Sequence, residues 1–277
     1  MKILSLFDGI SGAYVALQRA GIKIEKYYAS EIDKYTVAVS KYNFPNIIRL
    51  GDVKNVKAKD LPKIDLLIGG SPCQDLSCAN PNGKGLIGKK SGLFYEYLRI
   101  LKEVRPKYFL LENVASMKKK DKEIIIELLG VEPVMINSAL VSAQHRKRLY
   151  WTNIPITKLP EDKHIYLKDI LEAGDTDREK SYPITATYMN AIPKDYFEKS
   201  QRQLIFITKG MNEKKVRKLT PVECERLQTY PDNFTQYGIF EDGEIKEVSN
   251  TQRYKMLGNS FTVDVIAWIL KHLKEEK

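Results

Sequence analysis

The chain has 277 residues, of which 43% are hydrophobic and 29% charged, a balance that supports one large core with a smaller lobe and excludes disordered and fibrous classes. Its formal net charge of +10 favours a polyanionic partner. Three cysteines cannot all pair, three scattered histidines lack ligand spacing, and no apolar run reaches the length of a signal or membrane segment, so a cytoplasmic protein with no metal site is expected.

Residues 2–7 read as a first strand, followed by the glycine turn Asp8-Gly9-Ile10-Ser11-Gly12 and a helix over residues 13–20 that stops at Gly21. A second strand, Tyr27-Tyr28-Ala29-Ser30, delivers Glu31 nineteen residues beyond Gly12. In nucleotide-binding α/β units a glycine loop lets the ligand approach the backbone, and an acid at about that distance grips ribose hydroxyls. The loop lacks the full glycine pattern of a pyrophosphate cradle, so adenosine without phosphates fits better than a dinucleotide.

A helix over residues 33–42 and a strand over 47–50 lead to Gly51-Asp52-Val53, a second carboxylate at the same sheet edge. Leu66-Leu67-Ile68, closed by Gly69-Gly70-Ser71-Pro72, reads as a buried strand stopping at a tight turn, and the first side chain beyond the proline is the Cys73 thiol. Proline fixes its own backbone and biases Ser71 towards an extended form, so Cys73 is held stiffly. Taken by itself, Cys73 reads more readily as a small core hydrophobe than as a nucleophile.

A polar, glycine-bearing loop over residues 74–90 follows, of the kind that closes over active sites. Next come an amphipathic helix over residues 93–104 and a strand over 107–111 that ends at Glu112-Asn113-Val114, a third carboxylate. After a helix over 124–129 and a strand over 134–136, alternation in Gln144-His145-Arg146-Lys147-Arg148 places Arg146 and Arg148 on one face, which suits an anion or a base edge.

Over residues 152–216 the periodicity fades and turn residues increase, marking a separate lobe with candidate strands at 182–188 and 203–208. Regularity returns at Thr220-Pro221-Val222-Glu223, a capping box that opens a helix through Gln228. A hairpin turning at Asp242-Gly243 and a final helix over 262–273, preceded by Gly258-Asn259-Ser260, complete the chain. Basic clusters at Lys89-Lys90, Lys118-Lys119-Lys120, Arg146-Lys147-Arg148 and Lys214-Lys215 with Arg217-Lys218 favour nucleic acid as the polyanion.

Glu31, Asp52, Cys73 and Glu112 thus collect at strand ends. In family order, Phe7-Asp8-Gly9 with Gly12, Glu31, Gly51-Asp52-Val53, Gly70-Ser71-Pro72-Cys73, Glu112-Asn113-Val114, Gln144-His145-Arg146-Lys147-Arg148, Leu219-Thr220-Pro221-Val222-Glu223 and Gly258-Asn259-Ser260 resemble the S-adenosylmethionine-dependent DNA cytosine-5 methyltransferases. The resemblance spans everything except residues 152–216. The segment around Cys73 is similar to the animal de novo branch, whereas the later motifs follow the bacterial and phage pattern, which together suggest a compact microbial or phage enzyme.

The resemblance implies an α/β, Rossmann-like class I methyltransferase domain, a mostly parallel sheet with helices on both faces, formed by residues 1–151 and 217–277. Residues 152–216 would form a small, strand-rich target-recognition lobe. Cys73 would add to C6 of the cytosine, Glu112 would bond to its N3 and exocyclic amine, and Arg148 would contact the base with Arg146 close by. On the cofactor side, Phe7, Asp8, Gly9, Gly12, Val53 and Pro72 would shape the site. Glu31 would bind the ribose hydroxyls, Ile32 would pack on the adenine, Asp52 would accept from the adenine amine, and Asn259 and Ser260 would lie near the methionine part.

The implied partner is double-stranded DNA with one base extruded, and a restriction endonuclease is compatible with the same reading. A monomer in a bacterial cell or phage-infected host is expected. Two other readings compete: methylation of cytosine in RNA, to which the Asp75-Leu76-Ser77 signature does not correspond, and a catalytically inactive DNA-binding homologue, against which stand Cys73, Glu112, Arg148, Phe7 and Glu31.

Overall fold

A computed structural model describes residues 1–72, 92–209 and 213–273. Cys73, Cys78 and the loop after Cys73 lie outside the described residues. In chain order the elements are β1 (Lys2–Leu6), α1 (Gly12–Arg19), β2 (Lys26–Ser30), α2 (Lys34–Asn43), β3 (Ile48–Arg49), β4 (Leu66–Gly70), α3 (Leu93–Val104), β5 (Tyr108–Val114), α4 (Lys119–Leu129), β6 (Val134–Asn137) and β7 (Lys147–Thr152). There follow a short α5 (Pro193–Phe197), β8 (Leu204–Lys209), β9 (Glu213–Lys218), α6 (Pro221–Leu227), β10 (Tyr237–Ile239), β11 (Ile245–Glu247), α7 (Asn250–Asn259) and α8 (Val263–Leu270).

The central sheet runs β3-β2-β1-β4-β5-β7-β6. β1, β2, β3, β4 and β5 pair in parallel, and β7 lies antiparallel between β5 and β6. Period-2 alternation sends successive side chains to opposite faces and so builds two cores. Ile3, Leu66, Ile68, Leu110 and Tyr150 join one, with α1 and α8; Leu4, Leu6, Leu67, Phe109, Leu111 and Trp151 join the other, against α3. The expected mostly parallel α/β sheet with helices on both faces is what these pairings and cores describe.

Three local features depart from the sequence reading. β5 continues through Val114, because its ladder to β7 pairs Glu112 with Tyr150 and Val114 with Arg148, so Glu112 stands inside the strand rather than beyond it. Residues 182–188 form no strand. Pro183 has no amide to donate, Ile184 and Tyr188 turn into the first core, and the chain closes into a 3-10 turn at Tyr188–Asn190. The α7 helix is not signalled by periodicity, being polar outside its buried stripe of Arg253, Tyr254, Met256, Leu257 and Gly258.

Other local rules hold. Thr220 and Glu223 close the capping box of α6 reciprocally, and Gly243, with φ of 80°, turns the β10–β11 hairpin. No helix among the described residues is long and apolar enough to cross a membrane.

Candidate active site

The glycine turn after β1 is built on alternating left-handed residues: Phe7, Gly9 and Ser11 have φ of 57°, 59° and 59°. Asp8 holds the turn from inside. Its Oδ2 accepts from Ser11 Oγ at 2.5 Å and its Oδ1 from Tyr27 OH at 2.6 Å. Burial raises the Asp8 carboxyl to a pKa of about 6, against the pull of those hydroxyl donors. The freed Gly9 amide donates to Glu31 Oε2 at 2.9 Å, while Glu31 Oε1 accepts from the amides of Ile32 and Asp33 at 2.8 and 2.9 Å. The Glu31 carboxylate is therefore fixed at the end of β2, and beside it Ile32 is left 72% exposed.

These residues line one side of a cavity of about 270 Å³ that opens at the carboxyl edge of the sheet. Phe7, Asp8, Gly9, Glu31 and Ile32 meet there with Pro72 from the turn after β4, Glu112 from β5, Arg146 just before β7, Arg148 within it, and Asn259 and Ser260 from the end of α7. Gly12, Asp52 and Val53 are not among its lining residues. Gly12 faces Tyr230, whose hydroxyl would stand 2.2 Å from an added Cβ. Asp52 accepts from the Lys54 amide and Val53 packs in the second core. No group of His, Cys, Asp or Glu among the described residues could hold a metal ion.

Deeper in the cavity, Arg148 Nε meets Glu112 Oε1 at 2.8 Å, and both side chains are largely buried. The register of β5 against β7 causes this contact, since Val114 faces Arg148 and Glu112 faces Tyr150. Asn113, pointing the other way, donates to the carbonyl and hydroxyl of Ser71 at 3.2 and 3.1 Å, tying the end of β5 to the turn that precedes Cys73.

Arg146 is employed differently from Arg148. Its guanidinium donates to the carbonyls of Ile184 at 2.8 Å and of Gly258 and Ser260 at 3.0 Å each, so it fastens the end of α7 to β7. Gln228 supports the same end through the carbonyls of Leu257 and Ser260.

Several lining residues escape the sequence reading: Asp33, Thr36, Leu93, Gln252, Lys255, Met256 and Phe261. The capping position of Asp33, two residues after Glu31, is the one available signal; the α7 residues have none, because that helix itself is not signalled.

The cavity suits an adenosyl sulfonium ligand by its donor set. A pinned carboxylate stands beside the bare apolar Ile32, Phe7 and Leu93 add apolar wall, and Asn259 offers an amide at the far end. Nothing in the turn resembles a phosphate cradle, since the Gly9 amide is already spent on Glu31.

Comparison with known proteins identifies the family. The profile of the family described as C-5 cytosine-specific DNA methylase matches residues 1–155 and 145–275. The chain is 31% identical over 321 residues to Type II methyltransferase M1.ScrFI of Lactococcus lactis subsp. cremoris, covering 99% of this chain and 78% of that protein. It is 30% identical over 338 residues to Type II methyltransferase M.FnuDI of Fusobacterium nucleatum, covering 99% and 94%. Its fold is similar to that of the S. pombe Dnmt2 methyltransferase, with a TM-score of 0.75 at 19% identity over 98% of this chain and 97% of that one. The chain therefore belongs to the C-5 cytosine-specific DNA methylase family, whose members take their methyl group from S-adenosylmethionine.

Proposed function

We propose that this DNA cytosine-5 methyltransferase works by covalent addition of Cys73 to an extruded cytosine, with Glu112 and Arg148 as the groups that steer charge on the ring. The observation that carries the proposal is the Glu112–Arg148 ion pair at 2.8 Å in the same cavity as Pro72, the residue before Cys73. C5 of cytosine is a poor nucleophile. Addition of the Cys73 thiolate to C6, with Glu112 hydrogen-bonded to N3 and the exocyclic amine, places electron density on C5, which then forms its bond to the methyl carbon. Bound S-adenosylmethionine would supply that carbon, its sulfonium–methyl bond breaking to leave S-adenosylhomocysteine. Loss of the C5 proton and breaking of the Cys73–C6 bond restore the ring and return the thiolate.

At an unperturbed pKa of about 8.5 only a small fraction of a thiol is ionised at neutral pH. A guanidinium nearby would favour the thiolate, and the presence of Arg148 in the cavity, paired with Glu112, supports that role. The base must leave the duplex, at a cost of a few kcal/mol in stacking and pairing.

Glu31 would take the ribose hydroxyls, Phe7 and Ile32 the adenosine, and Asn259 and Ser260 the methionine part. Residues 152–216 would read the DNA sequence, joined to the methyltransferase domain of residues 1–151 and 217–277. The Type II relatives support an accompanying restriction endonuclease. A solitary role is supported by the 33% identity, over 189 residues, to the orphan methyltransferase M.SPRI of Bacillus phage SPR, which covers 63% of this chain and 43% of that protein. A monomer in a bacterial or phage-infected cytoplasm fits both.

The test is Cys73→Ala. Methyl transfer to duplex DNA should vanish while cofactor binding persists, and wild-type enzyme should form a stoichiometric covalent complex with DNA containing 5-fluorocytosine. Undiminished methylation by the variant would overturn the proposal.

A further inference from the structure

Two charged side chains of the cavity have no task in the chemistry above. Asp33 and Lys255 lie 222 residues apart in sequence, yet both line the cavity and meet across it, Lys255 Nζ donating to Asp33 Oδ2 at 2.7 Å. Asp33 divides its carboxylate between two jobs. Oδ1 caps α2, accepting from the amides of Tyr35 and Thr36 at 3.1 and 3.2 Å and from the Thr36 hydroxyl at 2.9 Å, which leaves Oδ2 for the lysine.

Each partner stands on a segment that carries residues assigned to the ligand. Asp33 follows Glu31 and Ile32 directly, and its own amide bonds to the Glu31 carboxylate. Lys255 lies one turn before Asn259 and Ser260 on α7. The far end of α7 is already fastened to β7 and α6 through Arg146 and Gln228, so Asp33–Lys255 is a tie on the opposite wall, across the space between. The two side chains are 31% and 47% exposed, and so open an ion pair adds little to folding stability.

We propose that the Asp33–Lys255 ion pair is a strap that closes the two walls around S-adenosylmethionine and sets how fast cofactor and demethylated product exchange, with Lys255 acting as a positioning residue. The proposal rests on the cofactor occupying this cavity, as proposed above. Because the attraction acts across an exposed rim, salt screens it and loosens the strap.

Titration calorimetry and stopped-flow dissociation with S-adenosylhomocysteine on the full chain provide the test. Lys255→Met should raise Kd about threefold and speed release in proportion. Asp33→Asn, which retains a capping oxygen for α2, should do the same, the two changes together should cost no more than either alone, and Lys255→Arg should restore binding. Raising salt should weaken binding by the wild type and leave Lys255→Met unaffected. Equal Kd for Lys255→Met and wild type at low salt, or additive losses in the double variant, would overturn the strap. Binding that ignores Glu31→Ala would instead overturn the placement of the cofactor in the cavity, so the two failures are separable.

Discussion

Asp8 and Glu31 are carboxylates at neighbouring strand ends with opposite surroundings. Glu31 accepts three backbone amides, whereas Asp8 is 4% exposed and held by hydroxyls. With its folded pKa raised to about 6 and its unfolded value near 3.8, Asp8 keeps its proton in the native state over a range where the unfolded chain has lost it. Its contribution to stability is therefore full below about pH 4 and is lost as pH rises through about 6, a change on the order of 3 kcal/mol. Asp8→Asn should flatten the pH dependence of the unfolding free energy between those limits, measured by denaturant titration at several pH values. An unchanged slope would mean that Asp8 is ionised throughout.

At this scale much of the site is legible in the sequence. The spacing from Gly12 to Glu31 points to an adenosine site; Glu31 follows β2 as expected and lines the cavity, whereas Gly12 opens α1 and faces Tyr230. Tasks among similar residues are not legible. Arg146 and Arg148 are paired by alternation and both line the cavity, but only tertiary packing assigns Arg146 to three carbonyls and Arg148 to Glu112. Asp52 shares its strand-end position with Glu31 yet lies off the cavity lining, because β3 is two residues long and sits at the sheet's edge.

Among the elements, α7 carries the tightest packing constraint. A Cβ at Gly258 would stand 2.1 Å from the Thr185 carbonyl carbon and 2.3 Å from the Ala186 nitrogen, both backbone atoms that cannot swing aside. Gly258→Ala should therefore cost about 1–3 kcal/mol in denaturant unfolding and weaken cofactor binding with it, since Asn259 and Ser260 follow directly. A variant with wild-type midpoint and affinity would show that residues 185–186 yield without consequence. The strands β1 to β6, with α1, α2 and α3, are readable because apolar residues recur at their period and punctuation is local: Gly21 after α1, Asp33 before α2. The polar α7 and the segment around Pro183 are not readable, since their conformations are set by packing against distant backbone.

For the whole molecule, the net charge of +10 and a DNA substrate predict that binding of duplex weakens steeply with salt. Lys118, Lys119 and Lys120 are exposed just beyond the end of β5, whose Val114 lines the cavity. Replacing all three by alanine should raise the KM for DNA and reduce the slope of log K against log salt by about 0.9 for each phosphate that is no longer neutralised, with cofactor affinity unaltered. An unchanged slope would place the DNA on another face. The mostly parallel sheet and the shared carboxyl edge that gathers Glu31 and Glu112 follow from periodicity and strand-end chemistry, but the strand order, the division into two cores and the insertion of β7 between β5 and β6 depend on pairings no single segment announces.

That insertion has a consequence for how the site comes into being. Glu112 and Arg148 belong to strands running in opposite directions, and a slip of one residue in their pairing would turn the guanidinium to the other face of the sheet. A chain whose β7 is absent or misaligned thus cannot bring Glu112 and Arg148 together in the cavity. The ion pair acts as a registration mark, present only when assembly of the sheet is complete.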